Sequence, residues 1–408
     1  MGDTLRAGRA VFRHRDYRLY VASRFMWGLG VQIMTVAIGW LVYSLTSDPF
    51  ALGLVGLAAF IPAVPLSILT GPAADRYDRR AIMIACCSVM AAVAAGLTAM
   101  VGGGSIASNV WVVYVAVFAI GSARSFANPA GHALMMSIVP EPEYPSALAW
   151  HNSLVQASAI SGPIVGGLLL PLGEIAPFLA ACAAFAAATT FSLLLRRPER
   201  RLGKPPVTLQ MLLAGYRFIW KCPVILGAMS LDLIAVLLGG VVALLPVFVQ
   251  DVYDAGPWAL GVLRSAPAIG GLAASLLIAN LTFRWHVGRT MFAAVAVFGL
   301  ATIGFGLSTH VLPAILFLVI LGAADMFSVL VRQTLIQVET PNEVRGRVLA
   351  VHTIVAGTSN ELGEFRAGAM AAVFGVVPAV IAGGVAAIGA AALWMRMFPD
   401  LRNRATFR

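Results

Sequence analysis

Gly71-Pro72-Ala73-Ala74-Asp75-Arg76-Tyr77-Asp78-Arg79-Arg80 is the stretch on which the reading of this chain turns. It is the first dense cluster of charge after the amino-terminal segment, and it stands between two long apolar runs. A tight polar turn with an acid at Asp75 and arginines at 76, 79 and 80 reads as a hairpin joining two membrane helices. The chain around it has 408 residues, 60% hydrophobic and 11% charged, with a mean hydropathy of +0.87. Soluble domains carry roughly 25% charge and 45–50% apolar residues, so this composition excludes an ordinary soluble enzyme. The formal net charge of +10 is not that of a nucleic-acid binder. Such a protein gathers its basic residues on one face of a soluble module, whereas these arginines sit in loops between apolar runs.

A membrane helix needs about 20 apolar residues. Twelve such spans are expected, at 19–46, 50–74, 80–102, 110–138, 145–170, 175–196, 222–249, 257–283, 289–308, 311–338, 347–374 and 376–397. Arg and Lys fall in alternate loops. Arg6, Arg9, Arg13, Arg15 and Arg18 precede the first span, and further sets follow at Arg76 to Arg80, Arg196 to Lys221, Arg284 and Arg289, and Arg345 and Arg347. Arg396, Arg402, Arg404 and Arg408 follow the last span, and the intervening loops have neither residue. The positive-inside rule then places both termini in the cytoplasm. The first apolar run is expected to be a retained span, since no cleavage-like small-residue site follows a short apolar core. Cys86, Cys87, Cys182 and Cys222 lie in or beside the spans without metal-ligand spacing, and read as small hydrophobes.

The two halves echo each other 201 residues apart: Gly121 with Gly322, Leu134 with Leu335, Pro140 with Pro341, Gly162 with Gly363, and Leu148 to His151 with Leu349 to His352. Ala51-Leu52-Gly53 is echoed by Ala259-Leu260-Gly261 at a slightly different offset. The expected organisation is a cytoplasmic segment 1–18, a six-helix bundle 19–196, a cytoplasmic linker 197–221, a second bundle 222–397 and a tail 398–408. The later part of the linker, Met211 to Trp220, reads equally as an amphipathic helix on the membrane surface or as a flexible connection. The opening stretch, G-x-x-x-D-R-x-x-R-R, resembles the loop between helices 2 and 3 of the major facilitator superfamily of secondary transporters. Its Asp78 in place of the usual glycine is similar to the branch of siderophore exporters and macrolide-efflux proteins. The resemblance covers nearly the whole chain, most closely Phe60 to Arg80, Asn128 to Gly167 and Arg332 to Gly368. It implies an all-α integral membrane protein of twelve transmembrane helices in two pseudo-symmetric six-helix bundles, the halves related by an axis along the membrane normal.

The resemblance also assigns roles. Gly71, Asp75, Arg76, Arg79 and Arg80 would form a gating motif, Asp75 capping the start of helix 11, where an anion is stabilised by free N–H groups. The loop after the eighth span, near Phe283 to Arg289, keeps basic charge without the acid, so this latch is expected on one half only. Gly162, Pro163, Gly166 and Gly167 look like the motif of antiporting, exporting members, with small residues that let helices approach closely. Its echo, Asn360 to Gly368, keeps two glycines and carries Glu364 in place of proline.

A charge in mid-membrane costs about 2.5–3.5 kcal/mol on insertion scales and marks function by default. Arg124 and Asp325 are echo mates, and helices 1, 4, 7 and 10 line the central cavity of this fold. Arg24 and Asp232 are again an arginine and an acid in paired helices. Such charges read either as a proton-coupling switch or as a static salt bridge. Arg332, Glu361 and Glu364 are further candidates, with Arg264 and Arg366. His132, His151 and His352 read as structural. Trp27, Gln32, Met34 and Phe126 are candidate cavity residues for a bulky amphipathic substrate. No nucleophile elbow, metal spacing or P-loop is present, so no enzyme activity, cofactor or metal is expected. The expectation is a monomeric inner-membrane exporter working by alternating access and proton antiport, its partners a small molecule, protons and the bilayer, with no nucleic acid. A lipid or lysophospholipid flippase, an importer and a polytopic membrane enzyme are the competing readings.

Overall fold

The computed structural model describes residues 10–196, 209–280, 286–404 and 406; within these, the side chains at 64, 67–69, 71–75, 209–213 and 279–280 lie outside the description. The described residues form helices and no strand. That is what an apolar surrounding demands, because lipid offers no partner to a backbone N–H or C=O. In chain order the helices are α1 Arg15–Thr46, α2 Pro49–Arg76, α3 Arg79–Gly102, α4 Trp111–Ile138, α5 Tyr144–Leu169, α6 Ile175–Leu194, the short α7 Leu209–Lys221, α8 Pro223–Gly239, α9 Pro257–Asn280, α10 Val287–Leu307, α11 Val311–Glu339, α12 Asn342–Phe374 and α13 Val376–Met397. Among the described residues, ten of the segments are long and apolar enough to cross a membrane. The other two long helices fall short for visible reasons. Only Pro49–Ala63 of α2 counts as an apolar run among described residues, and α12 carries Arg345, Arg347, Glu361, Glu364 and Arg366.

The expected seventh span, 222–249, falls on the candidate span Pro223–Val252, but the helix along it is broken: α8 ends at Gly239, and the chain continues through a 3-10 turn at Val242–Leu244, one turn of α-helix and a π-helical turn at Phe248–Val252. Gly239 and Gly240 lower the helical preference there, and Pro246 removes a donor from the continuing ladder. Within the linker, 197–208 lie outside the described residues, whereas Leu209–Lys221 is helical. Its Ile219 is buried with Ile225, Met229, Ile336 and Val348, and Tyr216 and Trp220 stay exposed.

Two compact units emerge, one of Met1–Leu41 with Ile61–Pro206 and one of Val42–Phe60 with Val207–Arg408. In the first, α3 packs on α4 and α6, around Tyr17, Tyr20, Met83, Met90, Phe178 and Phe185, all fully buried. In the second, α9 packs on α11, and α10 on α11 and α13. A core of Leu231, Met291, Phe292, Val331 and Leu335 lies among them. The end of α1 and the start of α2 belong to this second unit, where Tyr43 donates to the Asp251 carboxylate and Gly53 meets Gly368 on α12.

The α9–α11 seam depends on two glycines. A Cβ added to Gly322 would collide with the backbone oxygen of Pro267, and one added to Gly270 with that of Val319. Small residues at such seams let helix backbones touch, which replaces the hydrophobic drive that lipid does not supply. Gly322→Val should therefore lower the unfolding midpoint of the purified protein by an amount worth about 1–3 kcal/mol. Thermal unfolding followed by tryptophan fluorescence measures it; an unchanged midpoint would show that the seam yields.

Candidate functional site

The second unit holds a cluster of charge inside its core. Asp232 comes from the middle of α8 and Arg332 from α11, and the two form a buried ion pair. Asp232 is 7% and Arg332 3% exposed. Arg332 Nε donates to His352 Nε2 of α12 at 3.0 Å, which leaves the imidazole proton on Nδ1 and the ring neutral in this arrangement. Asp325 lies seven residues before Arg332, two turns along α11 and on the same face. It shares with Asp232 and Ser328 the wall of a small cavity of about 10 Å³, closed on the apolar side by Ala235, Val295 and Phe298. That is roughly the room one water needs. Two carboxylates thus meet one guanidinium. One negative charge is neutralised internally; the other is available to a proton or to a cationic group.

The first unit repeats the plan with a different charge. Arg24 is 8% exposed on α1 and donates through Nη2 to Asn128 Oδ1 on α4 at 3.3 Å. Beside it, Tyr20 shares a hydrogen bond of 3.4 Å with His151 Nδ1 on α5, and the His132 and His151 rings lie 5.0 Å apart. His151 is buried.

The remaining candidates fall into three groups. Gly162 and Gly166 bring α5 onto α1: a Cβ at Gly162 would press on Gln32, and one at Gly166 would lie 3.2 Å from Val36 Cβ. Pro163 and Gly167 are buried beside them on α5. Glu361 and Glu364 lie on α12 against Gly56 of α2. A Cβ added to Gly363, between them, would lie 3.0 Å from the Val236 oxygen of α8. Trp27 packs edge-on to Phe185 with centroids 5.8 Å apart, and Met34 is 1% exposed; here both are core side chains. Gln32 is half-buried, and Phe126 lines a groove of about 510 Å³ between α3 and α4, with Ile82, Val89, Phe118 and Ser122. Arg124 is half-buried on α4.

The arginines of the opening stretch carry a role that sequence reasoning missed. Arg79 donates to the Ala133 oxygen at 3.2 Å, and Arg80 Nε to the Ser192 oxygen at 3.1 Å. They fasten the start of α3 to carbonyls near the ends of α4 and α6, and Ser192 is among the last four carbonyls of α6, which have no partner within the helix. Asp78 is the N-cap of α3, its Oδ1 accepting from the Arg80 N–H at 2.9 Å. The signal was visible, since an aspartate directly before a basic, then apolar run is a cap pattern. Arg76 is exposed at the end of α2, while the Gly71 and Asp75 positions lie outside the described side chains. Phe283 to Trp285 likewise lie outside the described residues. No group of three or more His, Cys, Asp or Glu is placed to hold a metal ion among the described residues.

Comparison with known proteins adds independent findings. The model of the family described as transmembrane secretion effector, within the major facilitator superfamily, matches residues 7–405. The enterobactin exporter EntS of Shigella dysenteriae is 24% identical over 96% of this chain and 93% of its own length. The multidrug efflux pump Tap of Mycobacterium tuberculosis is 26% identical over 86% and 85%. Among solved structures, a bacterial homologue of the human lysosomal transporter Spinster superposes with a TM-score of 0.73 at 15% identity, covering 95% of this chain and 99% of that one. A D-xylose-proton symporter gives 0.72 at 14%, over 96% and 99%. At these identities the superpositions speak for the fold alone.

The ion pair makes its own prediction. Asp232→Ala leaves Arg332 buried without its counter-ion and should destabilise the protein by about 3–5 kcal/mol, whereas joint Asp232→Leu and Arg332→Met replacement should recover most of the loss. Denaturation of the three variants in one detergent checks this; equal stability of the single and the double variant would show that the pair is not closed in solution.

Proposed function

We propose, from the premise that this chain belongs to the transmembrane secretion effector family of the major facilitator superfamily, that it exports a small amphipathic molecule from the cytoplasm by alternating access, driven by exchange for protons. A multi-pass transporter rather than an enzyme is the common ground of the family and of the relatives. The observation that carries the finer reading is the cluster of Asp232, Asp325, Arg332 and His352, whose two acids and arginine lie on helices apolar enough to cross a membrane. Two acids against one guanidinium leave a carboxylate that a proton can neutralise without breaking the Asp232–Arg332 pair. Such groups inside a membrane are costly and mark ion pathways.

Direction and substrate class rest on the relatives. One is an exporter of enterobactin and the other a multidrug efflux pump, and export of a bulky amphipathic cargo is the reading they favour. The basic residues of alternate loops support an inner-membrane protein with both termini in the cytoplasm. The bundles at 19–196 and 222–397 would rock about a midplane site, the gating motif around Asp75 holding the inner side shut and the Gly162 to Gly167 stretch acting as the antiporter hinge. Arg124 and Asp325 would act as the echo-related charges of the pathway. A monomer suffices for this cycle.

One observation favours a second reading. The groove of about 510 Å³ between α3 and α4 is lined almost wholly by apolar side chains, as a lipid chain would require of a flippase.

Two measurements decide. Metabolite profiling of culture medium from cells with the gene deleted, restored, or restored as Asp325→Asn should show one compound lost in the first and third cultures; an unchanged medium in the deletion would remove the export reading. In inside-out vesicles, an imposed inward-acid gradient should drive uptake of that compound by the wild type, and Asp325→Asn should fall to the level of empty vesicles while binding is kept. Full gradient-driven uptake by the variant would remove Asp325 as the coupling residue, and fluorescent-lipid translocation in its place would favour the flippase.

A further inference from the structure

Among the described residues, the first unit offers no acid to the buried guanidinium of Arg24. Two of the three guanidinium nitrogens of Arg24, Nε and Nη1, are buried without a hydrogen-bond partner, and Nη2 has only the neutral Asn128 amide at 3.3 Å. Gly131 supplies the space: a Cβ there would lie 3.3 Å from Cζ and Nη1 of Arg24. Asn128 and His132 are both exposed, one turn apart on the same face of α4. The guanidinium therefore lies directly beneath an open face, with Tyr20 and His151 behind it. Every side chain in this group is a cation or a neutral hydrogen-bonding group; none is an acid.

The second unit holds the self-neutralised counterpart. Arg24 and Asp232 stand 208 residues apart, as do Ala51 and Ala259 of the second echo. Gly131 and Arg332 stand 201 apart, as do His151 and His352. At corresponding places, then, each unit sets one guanidinium near the same histidine. In the second unit the guanidinium is on α11 and an acid on α8 answers it. In the first the guanidinium has moved to α1, a glycine takes the vacated place on α4, and the acid is gone. A buried charge is costly unless it is paired, and inside a membrane it marks function by default, so this cation calls for a partner.

We propose that Tyr20, Arg24, Asn128, His132 and His151 form a binding site for a carboxylate on the cargo, reached over Asn128 and His132. The carboxylate supplies the missing acid and accepts from the unused Arg24 nitrogens, with Tyr20 and the histidines as neutral donors around it. Charge-assisted bonds of this kind are about twice as strong as neutral ones, which makes the site selective for the acid over its ester. The inference deepens the export reading and rests on it for the identity of the bound molecule as cargo, though not for binding itself.

The test uses the full chain, purified in detergent, with 2-naphthoate and its methyl ester as probes and thermal unfolding as readout. For the wild type the acid should raise the midpoint saturably and the ester should not. Asn128→Asp sets a carboxylate beside Arg24, copying the self-paired arrangement. It should raise the ligand-free midpoint and weaken the acid by about tenfold to a hundredfold. Arg24→Gln should also lose acid selectivity; should it fail to fold, Asn128→Asp carries the test alone. Equal responses to acid and ester in the wild type, or an acid-selective response that survives in Asn128→Asp, would overturn the proposal. Acid-selective binding without export of any acid would instead sink the export reading and leave the site standing, and export of neutral cargo without acid selectivity would do the reverse.

Discussion

Lipid supplies neither hydrogen bonds nor counter-ions, and the structure follows from that deficit. Each backbone group within the bilayer must be satisfied within its own helix, so the described residues form helices and no strand. Each interior charge must be answered by the protein, a proton or a ligand. The second unit answers Arg332 with Asp232 and orients it with His352, while the first leaves two nitrogens of Arg24 unanswered. The contrast between the two units is a contrast in how a charge is neutralised, built on one repeated scaffold.

The same deficit explains how the helices hold together. Apolar surface gains nothing by leaving lipid, so contact must come from close packing. Glycines supply it at the α9–α11 seam, at Gly162 and Gly166 between α5 and α1, and at Gly53 and Gly368. Where helices end, polar groups take over. Arg79 and Arg80 tie the start of α3 to carbonyls of α4 and α6, so the stretch between the second and third long helices is a structural clasp as well as a topology signal.

Much of this was legible without a structure. The long apolar runs, the loop charges, the internal echo and the glycine stretch of α5 all predict an α-helical transporter of the major facilitator superfamily, and the chain does belong to that superfamily. Where helix bounds differ from span bounds, the reasons are local. Gly239, Gly240 and Pro246 interrupt a segment whose hydropathy is unbroken, and the charges of α12 hide a helix that starts at Asn342 rather than at 347. Asp78 was read as a departure from a loop pattern when its cap position already announced its role.

Hydropathy and charge alternation are one-dimensional properties, and membrane thickness is a one-dimensional constraint, so the amino-acid sequence by itself determined the helical class, the approximate spans and the presence of charges within them. Partnership is different. Each residue along a helix turns the side chain by about 100°, and which face meets which neighbour depends on how helices pack around their axes. That is why Asp232 and Arg332, a hundred positions apart, were singled out but not joined. It is also why Trp27 and Met34 belong to the core here, and why Arg24 came to lie over Gly131 beneath an exposed face of α4. Only the tertiary structure decided which charges are paired and which still need a partner, because that is settled by rotation and approach of helices, which no count along the chain contains.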